Sequence, residues 1–183
     1  MTSPRAGRFF PSNPIKPILP MKLRIGFGFD VHQLVEGRAL WLGGIKIDHT
    51  LGLLGHSDAD VLIHAICDAI LGAANMRDIG YHFPPKAGNE FENIDSKILL
   101  KRTLDIVAEK GYTIGNIDCT ICAERPKLNP HIPQMQETLA QVMGIDVDDI
   151  SIKATTTEKL GFTGREEGIS AYAVVLLQKC MSQ

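Results

Sequence analysis

The sequence has no apolar run long enough to cross a bilayer, and it has almost no net charge. Nineteen Lys and Arg face 21 Asp and Glu, a formal −2. No basic field offers itself to nucleic acid, and no acidic tail points to disorder. Cysteine is sparse: Cys67, Cys119, Cys122 and Cys180 are scattered through apolar segments. Cys119 and Cys122 have C-x-x-C spacing, but they lie in a strand-like run where i and i+3 point to opposite faces. No second pair follows, so the spacing reads as reduced thiols of a cytoplasmic protein rather than a zinc or redox pair. Acid is missing from residues 1–20, which hold five prolines, two arginines and one lysine. Prolines at 11, 14, 17 and 20 forbid a stable helix or central strand. This predicts a disordered leader over 1–20 and a single domain over 21–183, long enough for one proper core.

The richest stretch is Gly55-His-Ser-Asp-Ala-Asp60 and the helix expected from about Asp60. Leu62, Ile66, Ala69 and Ala73 recur at three and four, and most residues between them are apolar too. Little of such a helix should face water. Ser57 or Asp58 supplies a start signal. Yet Asp60, His64 and Asp68 form an ionisable stripe at i, i+4 and i+8. Buried charge needs a partner or a metal. A structural network of one histidine between two carboxylates is the competing reading; His56, Ser57 and Asp58 at the same helix end favour a site.

Lys22 to Asp30 reads as the first strand, closed by Asp30-Val31-His32. In extended chain Asp30 and His32 share a side, giving two ligand-type groups together. With His64 they make a three-ligand set that leaves the fourth corner of a tetrahedral zinc open. Residues 38–49 read as a hairpin around Gly43-Gly44. A second helix starts at Asp95-Ser96 and ends at Gly111; a third runs Met135 to Met143, stopped by Gly144. Tyr112–Ala123, Asp149–Thr156 and Ile169–Gln178 are the remaining strands. The order predicts an α/β (α+β) sandwich, one mixed sheet with helices packed on one face.

Two loops carry further chemistry. Lys153 to Gly168 holds Thr155, Thr156, Thr157, Glu158, Phe162, Arg165 and three glycines. Glycines let backbone N–H groups approach an anion, threonines donate to phosphate oxygens, and Arg165 offers a bidentate fork. Glu158 suits a hard divalent cation bridging phosphates. A plain Gly-rich hairpin is the alternative. Glu124-Arg-Pro-Lys-Leu-Asn-Pro130 is a rigid turn able to present backbone groups to a base, or simply a connector.

Together these segments resemble the 2-C-methyl-D-erythritol 2,4-cyclodiphosphate synthase family of the non-mevalonate isoprenoid pathway. The resemblance runs from Met21 to the C-terminus. It is carried by Arg24-Ile-Gly-Phe-Gly-Phe-Asp-Val-His32, Gly55-His-Ser-Asp-Ala-Asp60, Pro130-His-Ile-Pro-Gln134 and Lys153-Ala-Thr-Thr-Thr-Glu-Lys-Leu-Gly-Phe-Thr-Gly-Arg165. It implies a lyase that converts 4-diphosphocytidyl-2-C-methyl-D-erythritol 2-phosphate to the 2,4-cyclodiphosphate and CMP. The substrate's 2-phosphate would attack its β-phosphorus, so no activated protein nucleophile is needed.

The resemblance further implies that Asp30, His32 and His64 bind Zn2+ and that Glu158 holds a second ion, Mg2+ or Mn2+. His56 and Thr156 would stabilise the transition state. Ser57, Asp78, Ile79, Gly80 and Phe83 would contact phosphate, ribose or the methylerythritol part. Ala123, Glu124, Arg125, Pro126, Lys127, Leu128 and Asn129, with Thr155 and Thr157, would form the cytidine side, and Phe162 and Arg165 would complete the phosphate side. Asp60 and Asp68 would support the zinc histidine from behind. A homotrimer with sites between subunits is implied, which fits strands too apolar for one small domain to cover.

The chain departs from the family after Phe83-Pro84. An aspartate and a further acid are usual there, whereas here Pro85-Lys86-Ala87-Gly88-Asn89 follows, with Lys86 as a charge contact instead. Phe27 replaces a histidine common in relatives, with little expected consequence. The rival readings are a zinc-dependent nucleotide phosphohydrolase, a non-enzymatic trimeric binding protein, and a zinc that is purely structural.

Overall fold

A computed structural model describes residues 21–84 and 94–180. The expected leader and the Pro85-to-Asn89 departure lie outside the described residues.

The first strand runs further than its sequence signals: β1 is Met21–Glu36 rather than ending near Asp30. Beyond Asp30 it stays paired with the C-terminal strand as far as Gln33, and Leu34–Glu36 then pair with a short apolar strand, β4 (Leu51–Leu53). Between them β2 (Leu40–Leu42) and β3 (Ile45–Ile47) form a separate two-stranded ribbon. Its Gly43-Gly44 turn has φ of 61° and 79°, the doubly positive backbone of a type I′ turn, which glycine adopts without strain.

Helix α1 spans Val61–Ala73, and eleven of its thirteen residues are buried, which makes it the core element. Leu62, Ile63, Ile66, Ile70 and Leu71 are fully buried, and each such burial stabilises by about 1.5–3 kcal/mol. Two one-turn helices, α2 (Ile79–His82) and, later, α5 (Gly161–Gly164), lie where the sequence reads as loop. Helix α3 is Ser96–Glu109, capped by Asp95 accepting from Lys97 N–H. Helix α4 is Ile132–Met143, ending on Gly144 in the left-handed region.

Strands β5 (Thr113–Cys122), β6 (Ile150–Thr155) and β7 (Gly168–Cys180) complete a five-stranded mixed sheet in the order β4-β1-β7-β5-β6. Only β5 and β6 run parallel. Helix α1 packs on β1 and β7, α3 on α1, and α4 on α3 and β6. The α/β architecture with one mixed sheet is as expected.

The opposite face of the sheet is different. Met21, Leu23, Ile25, Phe27, Phe29 and Val31 alternate outward along β1, joined by Tyr172 and Val174 of β7, and all are exposed. Ile25 is 74% and Phe27 64% exposed, and Phe29 packs on Tyr172 with ring centroids 5.0 Å apart. Among the described residues no helix is long and apolar enough to cross a membrane.

Candidate functional site

Even-numbered positions of β1 face α1, so Asp30 and His32 point at the helix that carries His64. Small residues let the two elements meet. A Cβ on Gly26 would lie 1.8 Å from the Ala69 carbonyl oxygen, and one on Gly28 would lie 1.9 Å from that of Ala65. Strand and helix are thus in backbone contact, which brings their polar ends together.

The donor atoms converge tightly. Asp30 Oδ2 lies 3.0 Å from His32 Nε2 and 3.0 Å from His64 Nδ1, and the two nitrogens are 3.1 Å apart. A tetrahedral ion with bonds of about 2.0–2.2 Å needs donor edges of about 3.3–3.6 Å. Shifts of a few tenths of an ångström would admit zinc, and two nitrogens with one carboxylate suit it.

Burial pushes the Asp30 carboxyl up, but hydrogen bonds and charge from His32 and His64 outweigh it and hold it well below the usual range. Burial likewise pushes His32 down, and its hydrogen bond and attraction to Asp30 more than restore it, so it is raised. The remaining ring nitrogens are also fixed. His32 Nδ1–H donates to the Leu54 carbonyl at 2.7 Å. His64 Nε2 lies 3.0 Å from Ser96 Oγ and 3.2 Å from Ser57 Oγ.

Around this corner lies a cavity of about 220 Å³ lined by the triad with His56, Ser57, Ile79, Gly80, Phe83 and Leu99. Asp78 stands beside it as the cap of α2, accepting from Tyr81 N–H at 2.9 Å.

Two expectations are corrected here. Asp60, not Ser57 or Asp58, caps α1, accepting from Leu62 and Ile63 N–H. Its carboxylate also accepts from Gly43 N–H at 3.0 Å and Gly44 N–H at 2.6 Å, so it ties the β2–β3 turn to the helix start. Burial, reinforced by the Asp58 charge, pushes its pKa up against those donors. Asp68 accepts from Ile79 N–H at 2.8 Å and so holds α2. Neither carboxylate bonds His64; Ser57 and Ser96 do. Sequence reasoning placed Ser96 at a helix start and nothing more, because a serine there has the ordinary look of a cap.

The second candidate region is separate. A cavity of about 320 Å³ is lined by Ala123, Glu124, Pro126, Lys127, Leu128 and Asn129, with Pro130, Ala154, Thr155 and Thr156. Glu124 Oε1 accepts from Thr157 N–H at 2.9 Å and Lys159 N–H at 3.2 Å, so it braces one loop against the other. Arg125 lies 3.4 Å from Glu166. Thr156 Oγ1 donates to Glu158 Oε1 at 3.2 Å, and Glu158 itself has φ of 52°. Arg165 is bidentate to Glu167, at 2.8 and 3.1 Å. Phe162 is exposed and lines neither cavity. Within one chain, therefore, the triad and the 123–129 and 155–165 loops form two sites.

Comparison with known proteins gives a consistent answer. The model of the YgbB family matches residues 23–178. The chain is 77% identical over 159 residues to the 2-C-methyl-D-erythritol 2,4-cyclodiphosphate synthase of Bacteroides thetaiotaomicron, covering 87% of this chain and 99% of that one. It is 61% identical over 159 residues to the synthase of Cytophaga hutchinsonii, with the same coverage.

Among solved structures, the bifunctional IspDF of Campylobacter jejuni matches with a TM-score of 0.83 at 44% identity, covering 87% of this chain and 43% of that longer chain. The IspF–CDP complex of Plasmodium falciparum matches at 0.74 and 37%, covering 85% and 95%. A membership so broad in coverage and so high in identity leaves one conclusion: the chain is an enzyme of the 2-C-methyl-D-erythritol 2,4-cyclodiphosphate synthase (YgbB) family.

Proposed function

We propose that this chain cyclises 4-diphosphocytidyl-2-C-methyl-D-erythritol 2-phosphate. An oxygen of the 2-phosphate bonds to the β-phosphorus, the bond from that phosphorus to the α,β-bridging oxygen breaks, and CMP departs with that oxygen. The observation that carries the reading is the converged Asp30, His32 and His64 triad opening on a cavity. Such a triad lends charge to a phosphate rather than a nucleophile, and this substrate brings its own. The CDP held by a solved neighbour supports the nucleotide half.

Asp30, His32 and His64 would hold Zn2+, whose Lewis acidity offsets phosphate charge. Glu158, an exposed carboxylate on a Thr-rich loop, suits Mg2+ or Mn2+, which takes one or two carboxylates plus substrate phosphates. His56 and Ser57 line the triad's cavity and would orient the attacking phosphate. The 123–129 turn would hold cytidine, and Thr156 the phosphates beside it. Fixing both ends converts the reaction into an aligned intramolecular displacement.

The two sites lie apart in one chain, and an apolar face of β1 and β7 stands bare. A homotrimer that buries this face and sets one subunit's triad against the next subunit's loops accounts for both facts. The unpaired thiols of Cys67, Cys119 and Cys122 fit a reducing, cytoplasmic setting.

The test is a phosphorus NMR time course with substrate, Zn2+ and Mg2+, repeated with EDTA. Coupled cyclic-diphosphate signals with equimolar CMP, abolished by EDTA, are expected. Released inorganic phosphate would make the protein a hydrolase, and an unchanged spectrum from folded, metal-loaded protein would make it a binding protein.

A further inference from the structure

His56 and Ser57 line the triad's cavity, but the chain that carries them is neither helix nor strand. It runs between two fixed points. Leu54 N–H donates to the Gln33 carbonyl at 2.9 Å, and Asp58 N–H donates to the Ile94 carbonyl at 3.1 Å. The Asp58 carboxylate also accepts from Ser96 N–H at 3.0 Å and Asp60 N–H at 3.2 Å. Between those points Gly55, His56 and Ser57 make no backbone–backbone hydrogen bond among the described contacts. The Ser57 hydroxyl accepts from Ala59 N–H at 3.0 Å, a contact within the same turn.

One side chain from elsewhere in the fold reaches this stretch. Arg38 Nη2 donates to the Ser57 carbonyl at 2.7 Å, across 19 positions of sequence. A guanidinium donor makes such a bond stronger than one between neutral groups. Arg38 is half-buried, and none of the ion pairs among the described residues includes it.

The guanidinium comes from a fixed base. Gly37, at φ of 77°, turns the chain out of β1 just before it. A Cβ on Gly52 would lie 2.5 Å from the carbonyl oxygens of both Arg38 and Ala39, so β4 is in backbone contact with this turn. A cavity of about 240 Å³ lies here, lined by Arg38, Ala39, Trp41, Ser57 and Asp58. Ser57 is common to it and to the triad's cavity.

We propose that Arg38 is a positioning residue for the cyclisation. By holding the Ser57 carbonyl it fixes the otherwise untied His56-Ser57 backbone and aims both side chains at the attacking phosphate. This rests on the orienting role proposed above for His56 and Ser57. A misplacement of about 1 Å in such groups can lower the rate by about 100-fold.

The experiment is a double-mutant cycle on steady-state CMP release, with zinc content and thermal melting measured for every variant. Arg38→Ala should lower kcat by about 10–100-fold, with KM and zinc content near wild type. In a His56→Ala background the same substitution should cause a clearly smaller loss, because one of the groups it aims is gone. Methylguanidinium can enter the enlarged Arg38 cavity and donate to the Ser57 carbonyl. It should restore part of the lost kcat in Arg38→Ala and none in His56→Ala, which a merely structural role would not produce. Wild-type kcat in Arg38→Ala, or an equal loss in both backgrounds, overturns the proposal. So does a loss that only follows lost zinc or lost folded protein and that methylguanidinium does not rescue. Wild-type kcat in His56→Ala would instead overturn the role read for His56, and wild-type protein that does not cyclise the substrate would overturn the proposed function itself.

Discussion

The triad corner and the paired loops at 123–129 and 155–167 are built in opposite ways. At the corner, every donor is held by contacts that are long in sequence: β1 against α1, Leu54 on His32, Ser96 on His64. The 123–129 and 155–167 loops are largely open to solvent apart from Ala123, Leu128 and Thr163, and Glu124 ties them to one another, with left-handed residues at Glu158, Lys159 and Glu166. Each ligand-type side chain of the corner is thus tied to a neighbouring element, as the metal reading of the triad asks. The loops present several polar side chains outward, which is what the proposed sharing of a site between copies requires.

Breaking the corner should have the largest effect. His64→Ala should abolish zinc content and turnover together, well beyond the ~10–100-fold typical of outer partners, with assembly retained by sizing. Full activity at normal zinc content would remove His64 from the site. Gly28→Ala should come next, because its Cβ would meet the Ala65 backbone rather than a movable side chain. Overpacking of this kind costs about 1–3 kcal/mol or more in denaturant unfolding, with zinc affinity falling alongside.

The loops should respond differently. Glu124→Gln weakens charge-assisted bonds worth about 1.5–3 kcal/mol locally. It should raise KM for the cytidine substrate while unfolding and zinc content stay unchanged. A shift in zinc content instead would erase the contrast between the regions.

The smallest effect is one of pH. Asp30, depressed from 3.8, adds stability that is present above 3.8 and lost as pH falls through its folded value. His32, raised from 6.5, adds stability that is complete below 6.5 and lost as pH rises through its folded value. Metal-free protein should therefore gain most from the pair between 3.8 and 6.5. Its melting temperature should decline on the alkaline side, while zinc affinity climbs there because binding displaces the His32 proton.

The triad was legible in the sequence because it follows from two local periods, alternation along β1 and the turn of α1. The apolar outer face of β1 follows from the same alternation. What was not legible lies at longer range. The i, i+4, i+8 stripe assumed that Asp60 was inside the helix. It is the extended residue before it, at φ −66° and ψ 92°, and so points back to Gly43-Gly44. One-turn helices such as α2 and α5 are too short for any period to show. Ser96 and His64 are 32 positions apart in sequence, and only the fold brings them together.

The most direct test of a site shared between copies is subunit mixing. His64→Ala protein lacks the corner and Glu158→Ala protein lacks the loop acid, so each alone should be inactive. Dissociated and reassembled together, random mixing in a cyclic assembly joins an intact corner to an intact loop edge in about a quarter of sites. The account predicts that cyclase activity returns on mixing. Mixtures that assemble fully and stay inactive would contradict it and place the whole site within one chain.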